Sequence, residues 1–227
     1  METEVISQIS VEAFKSWLTQ SKTTKDLFRG PTTKENALTL LQEAYALEVR
    51  SRGMEFSFNE STAGYLDKIA DAMTSKSTKC GILLCGNCGN GKTTTMNAFL
   101  AVTQYLGGIT SRKAMKRGEF KNWDIQSTSA RRLSQIAKEE SLMNQAKTAT
   151  VLCIDDVGLE PTEVLDYGNA ISPVIEIMEH RYRRQLFTFI TTNLTPAQIR
   201  EKYGDRIADR FNETMRCIVY TNPTFRR

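Results

Sequence analysis

Residues 80–95 read CGILLCGNCGNGKTTT, and two site patterns are superimposed in them. Cys80, Cys85 and Cys88 stand in C-x4-C-x2-C spacing, which suits an iron–sulfur cluster. Gly86, Gly91, Lys92 and Thr93 stand in G-x4-G-K-T spacing, which suits a nucleotide phosphate chain. The surroundings decide between them. Residues 82–84, Ile-Leu-Leu, have the length and content of a buried strand, and a helix-forming run with Met96, Phe99 and Leu100 follows the loop. Strand, glycine loop and helix are the context the phosphate pattern requires. A cluster needs a fourth thiolate, and Cys153 and Cys217 each stand in an apolar run, where cysteine packs as a small hydrophobe. A zinc site fares no better, because the single histidine, His180, is remote in sequence. The glycine reading therefore prevails, and the cysteines are assigned to packing.

The loop has a clear physical logic. Gly86, Gly89 and Gly91 let the backbone turn so that successive N–H groups face inward, where the positive end of the next helix reinforces them. Lys92 adds a point charge at the phosphates, and Thr93 offers a hydroxyl to Mg²⁺. The expected nucleotide-binding set is Gly86, Asn87, Cys88, Gly89, Asn90, Gly91, Lys92, Thr93 and Thr94.

A phosphate cradle needs a metal-binding acid at the end of a neighbouring strand. Residues 151–158, VLCIDDVG, supply four apolar residues and then Asp155 and Asp156. Asp155 is expected to hold Mg²⁺ with Thr93, and Asp156 to polarise the attacking water. Two aspartates after a strand also suit a turn or a helix cap; the loop tips the reading toward a metal site. The same segment fits D-x-x-G, but the guanine-reading N-K-x-D is absent from the chain, so ATP is expected rather than GTP. Residues 187–193, FTFITTN, form a strand with a polar tip, where Asn193 can orient water. In YGDRIADRF, residues 203–211, Arg206 and Arg210 lie four apart on one helix face. Each follows an aspartate, so a local ion-pair ladder competes with an arginine reaching the phosphate of a neighbouring subunit.

Taken in order, these segments resemble the AAA+ ATPases, and more narrowly the DnaC-type helicase loaders and IstB-type transposition ATPases. The resemblance covers about residues 80–220. It implies an α/β P-loop fold, a three-layer sandwich around a central parallel sheet. It implies Lys92 and Thr93 as the Walker A pair, Asp155 and Asp156 as the Walker B acids and Asn193 as the first sensor. Arg210 matches the arginine-finger position best, with Arg206 as the fallback. The helical lid of most AAA+ proteins is not expected after the last strand. The implied activity is ATP hydrolysis by a switch acting on DNA, with a replicative helicase or a transposase as partner and ATP-dependent homo-oligomers. An ATP-binding adaptor without turnover and a small-molecule P-loop kinase are the rival readings.

Outside the motifs the chain says less. Its 227 residues carry 30 basic and 26 acidic side chains, a net charge of +4, which permits nucleic-acid contact without demanding it. No signal peptide or apolar span is evident, so the expected setting is the cytoplasm, without membrane contact. Residues 1–75 are expected to be a helical segment that grips a partner, and 76–227 the ATPase domain. In the former, Phe14, Trp17 and Leu18 share one face and Leu38, Leu41 and Tyr45 another, with a further helix from about Asn59 to Met73. Residues 109–124 are basic and read as irregular. Within them, 111–123, SRKAMKRGEFKNW, hold five cations and two aromatics, a composition suited to single-stranded DNA. A solvated loop with Phe120 and Trp123 turned inward is the alternative. Arg181, Arg183 and Arg184 form a second cluster, suited to a subunit interface.

Overall fold

The computed structural model describes residues 10–21, 27–117, 123–161, 163–166 and 169–225. The strands are β1 (Gly81–Gly86), β2 (Ile125–Ser129), β3 (Val151–Val157), the short β4 (Val164–Asp166) and β5 (Asn169–Ile171), β6 (Phe187–Thr192) and β7 (Met215–Tyr220). The helices are α1 (Val11–Ser21), α2 (Lys34–Arg50), α3 (Glu60–Thr74), α4 (Lys92–Lys116), α5 (Ala130–Gln135), α6 (Glu140–Thr148), α7 (Pro173–Arg184), α8 (Pro196–Tyr203) and α9 (Asp205–Thr214). Five strands form one parallel sheet in the order β2-β3-β6-β1-β7, while β4 and β5 pair separately as an antiparallel ribbon.

Alternation along the strands makes three layers. Ile82, Leu84, Cys153, Phe187 and Phe189 face one core, which α2, α3 and α4 cover. Leu83, Cys85, Leu152, Ile154 and Ile190 face the other, under α5 to α9. Both faces are buried, which is why these strands read as continuous apolar runs. Helix starts follow from local chemistry. Pro173 and Pro196 occupy the first turn of their helices, and Thr195 with Gln198 closes a capping box.

The expected segment 1–75 is helical where described, and α2 and α3 are part of the main core. Leu41, Leu66 and Met73 pack in one cluster with Ile82, Leu84 and Phe99. Helix α1 differs: Phe14 and Trp17 stack on each other and are 52% and 60% exposed. The side chain of Leu18 lies outside the described residues.

Two readings need correction. Residues 109–116 are not irregular; they continue α4, whose Ala114 is fully buried. Within that helix a Cβ at Gly107 would come 3.0 Å from the Trp123 ring, so glycine there serves close packing. Arg181 is not an interface residue either. It is 1% exposed, and its guanidinium donates to the carbonyls of Ala146, Ala149 and Phe187 and to Thr188 Oγ1 at 2.6–3.0 Å. Burial lowers its pKa to about 10, with no carboxylate bonded to it among the described residues. This cation ties the end of α6 to the start of β6. Arg181→Ala should leave those carbonyls unpaired and cost about 3–5 kcal/mol, read as a lowered urea midpoint.

Candidate nucleotide and metal site

The sheet order places the site. Strand β6 lies between β1, which runs into the glycine loop, and β3, which ends in the aspartates. The tips of all three converge at one edge of the sheet, where open α/β folds bind ligands. Lys92 Nζ reaches across to β6 and donates to Asn193 Oδ1 at 2.9 Å. It also donates to the Gly86 and Asn87 carbonyls at 2.8 Å and to Asn90 Oδ1 at 3.1 Å. The ammonium is thus held by four neutral oxygens, while Asp156 and Asp155 act on it through space. Burial lowers its pKa below that of a free lysine, against the pull of those charges.

Thr93, the next residue, turns to β3. Its hydroxyl donates to Asp155 Oδ1 at 3.1 Å, and the Thr191 hydroxyl donates to the same carboxylate oxygen. The β3–β6 register shifts between Ile154 and Val157, a bulge that contains both aspartates. Asp156 takes φ 54°, left-handed for a non-glycine residue, and its N–H donates to Thr191 Oγ1 at 2.9 Å. Thr191 therefore orients both acids, through the side chain of one and the backbone of the other. Thr191 was not singled out from sequence. Its signal was the polar tip of an otherwise apolar strand.

The loop itself fits a phosphate chain. Gly89 and Gly91 have φ 81° and 95°. A Cβ on Gly86 would lie 2.5 Å from the Tyr220 carbonyl, and one on Gly91 2.7 Å from the Tyr45 hydroxyl. Asn90 is buried, and Cys88 is exposed at the loop surface. Thr94 Oγ1 accepts a 3.4 Å hydrogen bond from Arg52, just beyond α2. The last described residues also brace the loop: Asn222 Nδ2 donates to the Asn90 carbonyl at 3.1 Å and the Phe225 N–H to the Gly89 carbonyl at 2.8 Å. Nothing in the sequence marks that bracing, because residues distant in sequence meet only in the fold. A glycine cradle, a buried ammonium without a carboxylate partner and two hard oxygens on Thr93 and Asp155 match a Mg²⁺–nucleotide in charge and donor type.

The arginines lie apart from this network among the described residues. Asp205 and Asp209 pair with Arg200, not with the arginines that follow them. Arg206 and Arg210 both reach Glu179 Oε1 on α7, at 3.2 and 2.8 Å. Arg210 is 15% exposed and lies over the Tyr182 ring at 4.7 Å, whereas Arg206 is 73% exposed. In the basic stretch, Arg112, Lys113, Lys116 and Arg117 stand exposed at the end of α4. Trp123 packs edge-on against Phe28 at 4.9 Å, so its ring is committed inward. Phe120 and Lys121 lie outside the described residues.

No protein-family model matches the sequence, and no curated protein does. Among solved structures, the DnaC helicase loader superposes with a TM-score of 0.55 at 20% identity, over 73% of this chain and 93% of that one. DnaI gives a TM-score of 0.50 at 19% identity, over 73% and 88%. The chain shares the fold of these two solved structures. In that fold the five-strand order corresponds to 2-3-4-1-5 when the core strands alone are counted. Among the described residues no helix is long and apolar enough to cross a membrane.

Two outcomes test the site. Thr191→Val removes one donor from Asp155 and the acceptor of the Asp156 N–H. It should cost about 1–3 kcal/mol in urea unfolding, with a several-fold higher Mg²⁺ requirement for ATP binding. The second concerns Lys92. Because its folded pKa is lowered, the unfolded chain binds more protons between the two values, so stability rises with pH there. Ligand-free protein should gain stability relative to Lys92→Met as the pH rises toward the free-lysine value of about 10.4, measured by urea midpoints.

Proposed function

We propose that the chain is an ATP-driven switch acting in DNA replication, of the helicase-loader type, that binds Mg²⁺–ATP on residues 86–94. The observation that carries this reading is the paired contact Lys92–Asn193 and Thr93–Asp155–Thr191, which links loop, sensor tip and acidic bulge in one hydrogen-bonded unit. The superposition on the DnaC helicase loader supports the loader reading at the level of the fold.

The nucleotide supplies the phosphoanhydride and its metal; the chain's residues do the rest. The loop N–H groups and Lys92 hold the β- and γ-phosphates. Thr93 and Asp155 hold Mg²⁺. Asp156 accepts a hydrogen bond from the attacking water, and Asn193 moves from Lys92 to orient that water. Arg206 is free enough to reach the γ-phosphate of an adjoining subunit, while Arg210 positions it through the shared Glu179. The exposed cations ending α4 offer phosphate contacts to single-stranded DNA, and α1 offers Phe14 and Trp17 to a helicase. A second reading, an adaptor without turnover, draws on the hold that Glu179 has on both arginines.

ATP hydrolysis and light-scattering mass, each with and without single-stranded DNA, separate the two readings. Turnover that rises with DNA, with mass that rises with ATP, supports the switch; tight binding without turnover supports the adaptor. Lys92→Ala should abolish ATP binding. Arg206→Ala should keep binding within about twofold and lose turnover by about 10³-fold. Normal turnover in Arg206→Ala would remove the arginine in trans from the reading.

A further inference from the structure

Two cysteines that the nucleotide reading leaves over are neighbours in space. Cys85 is the last residue of β1 before Gly86, and Cys217 lies on the adjoining edge strand β7. Their sulfurs are 3.8 Å apart, both thiols free. Cys85 is buried and Cys217 exposed, so one sulfur is within reach of solvent and the other directly behind it. We propose that Cys85 and Cys217 form a dithiol site for low-molecular-weight disulfides, which closes a reversible bridge beneath the phosphate loop.

The chemistry balances without a further oxidant. The Cys217 thiolate attacks one sulfur of a disulfide such as glutathione disulfide, forming a mixed disulfide and releasing one thiolate. The Cys85 sulfur, losing its proton, then attacks the Cys217 sulfur and displaces the second thiol. Two protein thiols become one disulfide, and two electrons and two protons pass to the reagent. Cys217 suits the first step: the hydrogen bond from Cys85 and the nearby charge of Lys79 bring its pKa to about 7 against the effect of burial, while the same hydrogen bond pushes Cys85 up.

Register gives the bridge its consequence. Cys217 is level with Leu83, and Cys85 with Val219, so the two cysteines are diagonal across the strand pair. A two-residue offset of about 6.6 Å between parallel strands about 4.8 Å apart puts such Cα atoms about 8 Å apart, beyond the usual span of a disulfide. Closing the bridge must therefore draw the end of β1 along β7. Gly86 has no room to absorb that movement, because its Cα already lies against the Tyr220 carbonyl closely enough that a Cβ would sit at 2.5 Å. The shift passes into the loop that holds Lys92. This consequence rests on the ATP reading; the sulfur chemistry does not.

The test uses the full chain, reduced and then equilibrated with glutathione disulfide. Peptide mapping under non-reducing conditions reads the bond, and a fluorescent ATP analogue reads affinity. The expected result is a linked peptide pair containing Cys85 and Cys217, a fall in affinity of about tenfold or more, and full recovery with dithiothreitol. Cys217→Ser should give no linked pair. Any loss of affinity that it retains then belongs to an adduct on the exposed Cys88. Mixed disulfides that never resolve into the linked pair would overturn the proposal, as would a complete bridge with unchanged affinity. A bridge that forms in a protein whose reduced state binds no ATP would uphold the dithiol site and defeat the nucleotide reading instead.

Discussion

The structure turns on one buried ammonium. Lys92 stands at the start of α4 with its charge inside the fold, where an unpaired cation is costly. Loop carbonyls and two asparagine side chains take up its hydrogen bonds but leave its charge without a directly bonded anion. On the proposed reading, that charge is the one a phosphate chain would meet. The contact with Asn193 also ties the loop to the tip of β6, so one interaction joins two parts of the candidate site.

The acidic side of the site is built from backbone irregularity. A regular β3 would point Asp155 and Asp156 to opposite faces of the sheet. The bulge and the left-handed Asp156 break that alternation at the tip, and Thr191 holds both departures in place. Strain of this kind persists where surrounding contacts over-determine it, and functional sites are where it concentrates. The buried Arg181 plays the opposite part on the far side of the sheet. It is a buried charge whose hydrogen bonds join α6, α7 and β6.

Around this centre are groups with divided duties. Glu179 holds Arg206 and Arg210 together, yet one is nearly covered and the other open to solvent. Exposed ion pairs of this sort contribute little stability, so Arg206 can exchange its partner at small cost. The Cys85–Cys217 pair joins the phosphate loop to the sheet edge at a point where the backbone has no slack.

The sequence by itself determined the fold class and the conformation of the glycine loop. The glycine spacing, the apolar runs of the β1, β3 and β6 segments and the proline-led helix starts are local signals, and each is set by backbone sterics or by burial on both faces of a sheet. Local signals also misled. The basic run 109–124 suggested irregular chain where α4 continues to Lys116, because the burial of Ala114 that rewards a helix there comes from distant contacts. Charge alone placed Arg181 at a surface, although main-chain carbonyls from two separate segments bury it. The roles of Thr191, Glu179 and the Cys85–Cys217 pair belonged wholly to the tertiary structure. Strand order and register bring these groups together from across the chain, and neither can be read from the spacing of residues along it.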